Sequence, residues 1–401
     1  MTTASPAAAS PAPAPAPAAS PAPAPAPAPA QPAPLSLAER HRRLAHDLDA
    51  LKARIQAELG DDDVAHVRRV QRVSTAAEVV GRVLIHVSLD PVTFTAGVAA
   101  LWLHKQLEAT EIGHTALHGA YDHLPGGERW AADGFAWDVP IDEESWRSGH
   151  NHKHHGNTNI AGKDPDIHFG PVRLTEHTPH TPAHRHQAWW LLVVVPTFGF
   201  GMNLHFTGLA DLFADNGLGR KLDVLPDRSL ASRRLAWRRA LRKFVPYYAK
   251  NYGLYPALAG PLWWKVLLGN ALAELGRDLY SAATIYCGHV GGDVASWPEG
   301  TKARSRGEWY AMQLEATNDF EVPLPVSILC GGLDRQIEHH LFPTLPPPRL
   351  RQIAPEVKAI AQRHGFAYKT DTWGRQLAKA FRHIRRLARA DGPRAVLREA
   401  A

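Results

Sequence analysis

The sequence predicts an all-α integral membrane protein, with about four transmembrane helices as two hairpins and a cytoplasmic helical cap holding a histidine-rich dimetal site. Three features lead to this prediction: four apolar stretches, short clusters of histidine, and basic residues concentrated between and after them. The chain has 401 residues, 23 histidines and two cysteines, Cys287 and Cys330. Two cysteines exclude a disulfide scaffold, a cysteine-ligated zinc site and a cysteine-held iron–sulfur cluster. The net charge of +6 does not by itself indicate a nucleic-acid partner.

Composition divides the chain into four regions. Residues 1–35 are almost entirely proline and alanine, which favours solvated polyproline II, so a disordered tail is expected. Residues 36–75 are predicted to be an amphipathic N-terminal helical segment, which could lie on a membrane surface or pack against the body. Residues 76–370 are predicted to form the membrane domain. Residues 371–401 are predicted to form a basic C-terminal helical tail.

Four apolar stretches are candidates for crossing a membrane. None of them reaches the roughly 20 clean apolar residues of an ideal spanning helix. Asp90 and Pro91 form a natural turn within the first pair, so each pair is predicted to be a hairpin. The stretches are residues 76–89 and 92–110, then residues 253–269 and 271–290.

A fifth apolar stretch, Trp189–Phe206, is placed by the charges that follow it. If it crossed the membrane once, the basic block after it would face outward, against the positive-inside tendency. We therefore expect residues 189–206 to lie on the interface or dip into it, with the basic block and the histidines on the cytoplasmic side of the cell membrane. The block comprises Arg220, Lys221, Arg228, Arg233, Arg234, Arg238, Arg239, Arg242 and Lys243.

Histidines gather at four short places with the spacing that a metal site needs. Residues four apart on a helix share a face, so His114 pairs with His118 and His150 with His154. The remaining histidines of these places can reach a neighbouring centre. Eight imidazoles exceed the needs of one ion, so two metal ions are predicted. The eight are His114, His118, His150, His154, His155, His289, His339 and His340.

The donor type leaves several metals open, because imidazole suits iron, copper, zinc and nickel alike. The HExxH pattern of zinc proteases is absent, and Glu-x-x-His occurs once, at Glu111 and His114, not as the two motifs that soluble di-iron bundles use. What remains is a histidine-rich dimetal site at the mouth of a hydrophobic helix bundle. That placement indicates an apolar substrate delivered from the membrane.

The three boxes HxxxH, HxxxHH and QxxHH occur in this order, flanked by HN-xx-HH-xx-TN and GGL-x-x-QIEHHLFP. This pattern resembles the membrane fatty acid desaturase family, specifically front-end acyl-lipid and acyl-CoA desaturases and their actinobacterial relatives. The likeness covers roughly residues 76–365. It implies a non-haem di-iron centre that uses O2 to abstract hydrogens from an acyl chain, carried by CoA or a lipid, and leaves a cis double bond.

By position, the resemblance makes the seven box histidines iron ligands and His289 an additional ligand. Gln336 replaces the first histidine of the third box, and would ligate weakly or hold a water or a hydrogen bond. Asn318 is a candidate for orienting a water, and Asp164 for holding a ligand imidazole. The haem-binding HPGG of a fused cytochrome b-type domain is missing. Electrons would therefore come from a separate ferredoxin and its reductase.

Two other functions stay open. A hydroxylase on the same scaffold would begin with the same hydrogen abstraction, although the QIEHH box favours desaturation. A membrane protein that binds metal without catalysis would carry its ligands within the spanning segments, whereas these histidines gather at the expected cytoplasmic helix ends. His123 and His152 are off the box spacing, and His177, His180, His184 and His186 lie in a Pro-Thr loop without helical register, so we expect all of them outside the metal site.

Overall fold

The computed structural model describes residues 1–2, 35–169, 171–213 and 224–389. Almost all of the predicted disordered tail lies outside these residues, as do Arg220, Lys221 and the last part of the basic C-terminal tail. From Leu37 onward the described chain is mostly helical, which confirms the all-α part of the prediction.

The α-helices of the described residues are numbered in chain order. They are α1 Leu37–Ala57, α2 Asp61–Val87, α3 Pro91–Leu107, α4 Thr115–Leu117, α5 Glu143–Trp146, α6 Gln187–Val194, α7 Phe198–Phe206, α8 Leu209–Phe213, α9 Leu230–Tyr248, α10 Tyr255–Leu258, α11 Trp263–His289, α12 Arg306–Ala316, α13 Leu324–Cys330, α14 Gln336–Leu341, α15 Pro347–Arg363 and α16 Trp373–Leu387. The π-helical segments are Glu108–His114, Arg147–His154 and Ala249–Leu254. The 3₁₀ segments are Glu128–Trp130, Asp166–His168, Pro182–His186, Gly260–Leu262 and Leu333–Arg335.

Helix α1 packs against the body, which decides between the two placements considered for it. Its leucines at helical spacing and Ile55 are buried in a hydrophobic core with residues of α12, α14 and α15. Ion pairs at its edge join Arg54 to Glu356 and Asp49 to Arg306. The amphipathic pattern of this segment thus reflects packing against neighbouring helices.

Helices α2 and α3 form the first predicted hairpin, and the turn lies where it was expected. Helix α2 ends at Val87 and α3 begins at Pro91. The Asp90 side chain caps α3 by accepting hydrogen bonds from the backbone N–H groups of Val92 and Thr93, each at 2.9 Å. Proline at the first helical position suits this start, because its missing N–H would have no partner there.

The second hairpin differs from the prediction at its turn. A break was expected at residue 270, but α11 runs without interruption through that position. The first arm instead consists of α9, the π-helical segment Ala249–Leu254 and α10, and the chain turns at residues 259–262. Gly260 there has φ of 54°, a backbone conformation that glycine adopts without strain. The basic residues of α9 therefore belong to the arm itself.

A helix that spans a membrane meets two requirements, sufficient length and an apolar composition. No single helix within the described ranges is both long enough and apolar enough to meet them. Together, residues Pro182–Val194 and Phe198–Phe206 meet them, with a bend of 114° between the two segments. Two crossing hairpins therefore stay a prediction.

A small parallel sheet supports the third histidine box. Strands β1 (Asp319–Glu321) and β2 (Thr370–Thr372) pair with Asp319 opposite Thr370 and Glu321 opposite Thr372. The Asp319 carboxylate accepts a hydrogen bond from the backbone N–H of Ile337 at 2.9 Å, at the start of α14. The sheet thereby fixes the position of the short helix that carries His339 and His340.

Candidate metal centre

The second histidine box lies on the π-helical segment Arg147–His154, whereas the spacing argument assumed an α-helical register. In the first box, His114 ends a π-helical segment, but the His118 backbone N–H donates to the His114 carbonyl at 3.2 Å, as in an α-helix. The His155 backbone N–H donates to the His150 carbonyl at 3.1 Å, which is the i→i+5 pattern of a π-turn. The Nε2 atoms of these two rings lie 3.3 Å apart. The wider turn therefore brings His155 to His150, while His154 remains close to both. Single π-turns are frequent at functional sites.

A glycine precedes the first histidine at three of the four places, and each lies against a bulky side chain. A Cβ atom on Gly113 would be 1.9 Å from Trp137 Nε1, and one on Gly149 would be 2.4 Å from Phe206 Cδ1. A Cβ atom on Gly288 would be 2.7 Å from Gln336 Cγ. Glycine thus permits the close packing that holds the histidine-bearing segments together.

All eight predicted histidines come together, although they lie up to 226 positions apart in the sequence. Every ring is buried or nearly so. The histidines form three overlapping groups, and within each group the possible ligand atoms lie within 4.8 Å of one another. The third group consists of His150, His154 and His155. His155 also stacks on His340, with ring centroids 4.3 Å apart. The first group is His114, His118, His150 and His339; the second is His154, His289 and His340.

Several ring nitrogens are buried without a hydrogen-bond partner among the described residues. They include His118 Nε2, His154 Nε2 and His339 Nε2. An unsatisfied buried polar atom costs about 1–3 kcal/mol, so such a concentration calls for a partner. Burial first, and then the neighbouring imidazoles, hold the pKa of His118 and His339 well below the usual value. Neutral imidazole is the form that binds a metal, so these residues fit metal ions.

Carboxylates orient two of the histidine rings by contacting their Nδ1 atoms. Both oxygens of Asp164 lie 3.0 Å from His154 Nδ1, and Asp166 Oδ2 lies 3.2 Å from His150 Nδ1. Burial alone would lower the pKa of His154, but Asp164 and Asp166 outweigh it and raise this pKa to about 9. The carboxylates thus favour positive charge on the His154 ring, from a proton or from a metal ion at Nε2. Asp164 thus contacts one of the histidines predicted to bind metal, and its role in holding a ligand stays a prediction.

Gln336 and Asn318 have different surroundings. Gln336 Nε2 lies 2.7 Å from His289 Nε2, and His340 Nε2 lies 3.2 Å from the same atom. Gln336 therefore belongs to the edge of the second group. The side chain of Asn318 donates to Asp293 at 3.3 Å.

Sequence reasoning missed three contacts of the cluster. His340 Nδ1 lies 3.0 Å from Gln313 Oε1 and 3.2 Å from Thr158 Oγ1. The indole of Trp146 stacks on His150 with centroids 4.4 Å apart. Gln313 is 27 positions from His340 and belongs to no histidine box, so no local pattern could have indicated it.

His123, His152 and the histidines of residues 177–186 have other surroundings. His123 and His152 are exposed, and the His152 ring bonds to the carbonyl of Arg147. In the segment 177–186, His177 and His180 bond to backbone carbonyls of distant segments. None of these histidines joins a metal-binding group within the described residues.

An apolar cavity leads away from the cluster. His114, His150, His154 and His289 line one end of it, and the ion pair of Arg277 with Asp278 lines another part. Ile285 and Ser281 lie on α11 between these points. Along an α-helix, the 11 positions from Asp278 to His289 span about 16 Å. The cavity can thus hold an extended hydrocarbon chain beside the histidines.

The glycine packing yields a test. In Gly113→Ala, the new Cβ would displace Trp137, whose indole N–H donates to the Glu108 carbonyl at 2.8 Å. We expect a loss of about 1–3 kcal/mol in the free energy of unfolding, the usual cost of overpacking, together with weaker metal binding. Chemical denaturation and metal content would measure both, with Gly253→Ala as the control, because Gly253 also lies in a π-helical segment and a Cβ there meets no atom within 4 Å. Unchanged stability and metal content would contradict the packing role.

Comparison with known proteins identifies related sequences. The family model described as fatty acid desaturase matches residues 91–372. An NADPH-dependent stearoyl-CoA 9-desaturase of Mycobacterium tuberculosis is 29% identical over 360 residues, covering 87% of this chain and 80% of that protein. An sn-1 linoleoyl-lipid 6-desaturase of Synechocystis is 27% identical over 287 residues, covering 70% of this chain and 76% of that protein.

Proposed function

The chain belongs to the fatty acid desaturase family, and from this premise we propose that it uses O2 to introduce a cis double bond into a fatty acyl chain at a di-iron centre. The observation that carries the proposal is the convergence of eight buried imidazoles at one end of an apolar cavity. A metal store would need no such cavity. The geometry instead suits oxidation of a bound hydrocarbon.

The two groups divide the proposed ligands between two iron ions. His155 lies between the groups, and Gln336 supports the second through His289. When bound, the iron ions would supply the oxidising power to remove two hydrogens from adjacent methylenes, with O2, two electrons and two protons giving the alkene and two waters. The proposed ligands are His114, His118, His150 and His339 for one ion, and His154, His289 and His340 for the other. The eighth proposed ligand is His155, which groups with His150 of the first set and His154 of the second.

The surrounding residues position these ligands and the substrate. Asp164 and Asp166 orient the His154 and His150 rings through Nδ1, which leaves Nε2 directed at the cluster. Trp146 covers the His150 ring and lines the cavity. The apolar walls exclude water and hold the chain beside the ligands, so that a fixed pair of carbons is oxidised.

The relatives suggest the substrate and the source of electrons. Two relatives are named for stearoyl-CoA and for a linoleoyl-lipid, so we propose a long acyl chain carried by CoA or by a lipid. The first relative is named as NADPH-dependent. A ferredoxin with its reductase, which can pass electrons from NADPH one at a time, remains our proposed donor.

We also propose that the protein lies in the cell membrane with its histidines on the cytoplasmic side. Large apolar side chains are exposed on α2, α6, α10 and α11, among them Val83, Trp189 and Trp264. A bilayer would cover these apolar side chains. The 114° bend beside α6 suits a segment that dips into the interface.

Expression in a host that supplies ferredoxin and reductase tests the proposal. The fatty acids of this host, analysed by mass spectrometry, should contain a new unsaturated acid that is absent with His339→Ala. A hydroxy acid would instead identify the hydroxylase alternative. If protein with bound iron yields no product with a range of acyl substrates and donors, the desaturase proposal is wrong.

Filling the cavity should change the preferred chain length. Ser281 is buried and lines the cavity about 12 Å along α11 from His289. In Ser281→Phe, we expect turnover of the longest accepted acyl chain to fall at least about tenfold, while shorter chains are still converted. Product profiles with acyl chains of graded length would measure this, and Ser281→Ala controls for loss of the hydroxyl. An equal loss for all chain lengths would contradict the proposed path.

A further inference from the structure

A second groove lies on the outer face of α2, and none of the residues that line it lines the cavity beside the histidines. Three arginines line this groove, two from α2 and one from the 3₁₀ segment Glu128–Trp130. They are Arg68, Arg72 and Arg129, and all three are exposed. No carboxylate of the described residues lies within 4.0 Å of their guanidinium groups. Three cations thus converge without an anion.

The neighbouring groups leave this charge uncompensated. Arg68 makes one long hydrogen bond, 3.5 Å, to the carbonyl of Gly126. Glu128 is the acidic residue next to the groove, and its fully exposed carboxylate bonds to the backbone N–H of Gly126. The pKa of Glu128 is lowered mainly by backbone hydrogen bonds, with Arg68 only a minor cause. The groove therefore keeps a net positive charge suited to a phosphate.

The same face of α2 becomes apolar along the helix. From Arg68 and Arg72 it continues through Val79 and Val83 to Val87, at helical spacings of four or seven residues. These valines are 57%, 52% and 62% exposed, although the opposite face of α2 is buried against its neighbours. The whole face extends about 28 Å, close to the length of a phospholipid acyl chain with its headgroup.

The orientation of α2 matches that of a lipid in a bilayer. The arginine end lies beside the first histidine box, because Gln71 bonds to Glu108 at 2.7 Å and His66 to Glu111 at 2.6 Å. The valine end leads to the turn at Asp90. If the histidines face the cytoplasm, as proposed above, then the arginines lie at headgroup level and the valines in the acyl region.

We infer that this groove binds an anionic phospholipid, with its phosphate at Arg68, Arg72 and Arg129 and one acyl chain along Val79, Val83 and Val87. The inference rests on the proposed membrane placement and not on the proposed reaction. The lipid is not the substrate, because the groove and the histidine-lined cavity share no residue. Guanidinium groups bind phosphate oxygens in a bidentate manner, and the valines add hydrophobic contact along the chain.

Thermal unfolding of the purified full chain in a neutral detergent, titrated with phosphatidylglycerol, tests the inference. Binding to the folded state raises the unfolding temperature, by an amount that grows with the logarithm of the affinity at saturating ligand. The triple variant Arg68→Gln, Arg72→Gln, Arg129→Gln should bind phosphatidylglycerol at least about tenfold more weakly than the wild type. The matched control Lys52→Gln, Lys302→Gln, Arg304→Gln removes the same charge elsewhere and should bind normally.

Further arms separate the possible ligands. Phosphatidylcholine and inorganic phosphate should each protect the wild type far less than phosphatidylglycerol. Val79→Trp fills the apolar part of the groove, so it should weaken phosphatidylglycerol binding while leaving all three arginines in place. Equal loss in the control variant, equal protection by phosphatidylcholine, or full protection by inorganic phosphate would overturn the inference. Because all these variants keep the histidine cluster, desaturation measured in parallel would report on the proposed reaction separately.

Discussion

Replacing His154 with alanine should abolish desaturation and reduce bound iron. His154 belongs to the second histidine group and also contacts His150 and His155. Both carboxylate oxygens of Asp164 lie within hydrogen-bond distance of its Nδ1 atom. Loss of a partner outside the ligand set typically costs about 10–100-fold in metal affinity or activity, so loss of the ligand itself should exceed that. Iron analysis of the purified protein and product analysis in the same preparation would measure the effect.

His152 provides the matched control for this substitution. It lies two residues away on the same π-helical segment, but it is exposed and bonds only to the Arg147 carbonyl. His152→Ala should therefore retain iron and activity close to the wild type. If both variants lost activity equally, the effect would come from disruption of the segment, and the assignment of His154 as a ligand would be wrong.

Asp164→Asn should have the second largest effect, although it changes little in volume. Asp164 is fully buried, and its oxygens accept hydrogen bonds from the backbone N–H groups of Asn159 at 2.7 Å and Asp166 at 2.9 Å, besides that from His154. An amide group must turn an N–H toward one of these donors, so one hydrogen bond becomes a repulsion. We expect iron affinity to fall about 10–100-fold, measured by competition with a chelator.

An exposed aspartate separates this effect from loss of charge alone. Asp133 is exposed, so Asp133→Asn should leave iron affinity unchanged. Asp164→Glu keeps the charge but lengthens the side chain by one methylene within a fully buried site, and it should recover only part of the affinity. Normal iron affinity in Asp164→Asn would show that the aspartate does not orient His154.

The sequence predicted most of the site but less of its local geometry. The histidine boxes could be identified because ligand residues must recur at short spacings within each segment, and all eight predicted histidines come together. The π-helical register could not be predicted, since the same residues would fit an α-helix and the wider turn depends on tertiary packing. Gln313 and Thr158 support His340 from separate segments, so only the folded structure reveals them.

The fold, too, was predictable from the sequence only in part. The turn at Asp90 and Pro91 was predictable, because an aspartate cap followed by proline is a strong local signal. The second turn was placed wrongly, because hydropathy alone divided residues 253–290 at their middle and ignored Gly260 and Pro261. For α1, the amphipathic pattern did not distinguish a membrane surface from a packed interface, because both bury one apolar face.

The most direct test of the central claim is the iron content of the purified full-length protein, measured together with anomalous X-ray scattering at the iron absorption edge. The eight converging imidazoles predict about two iron ions per chain, one among His114, His118, His150 and His339, the other among His154, His289 and His340. Protein that converts an acyl chain while holding one iron ion, or holding iron elsewhere, would contradict this account.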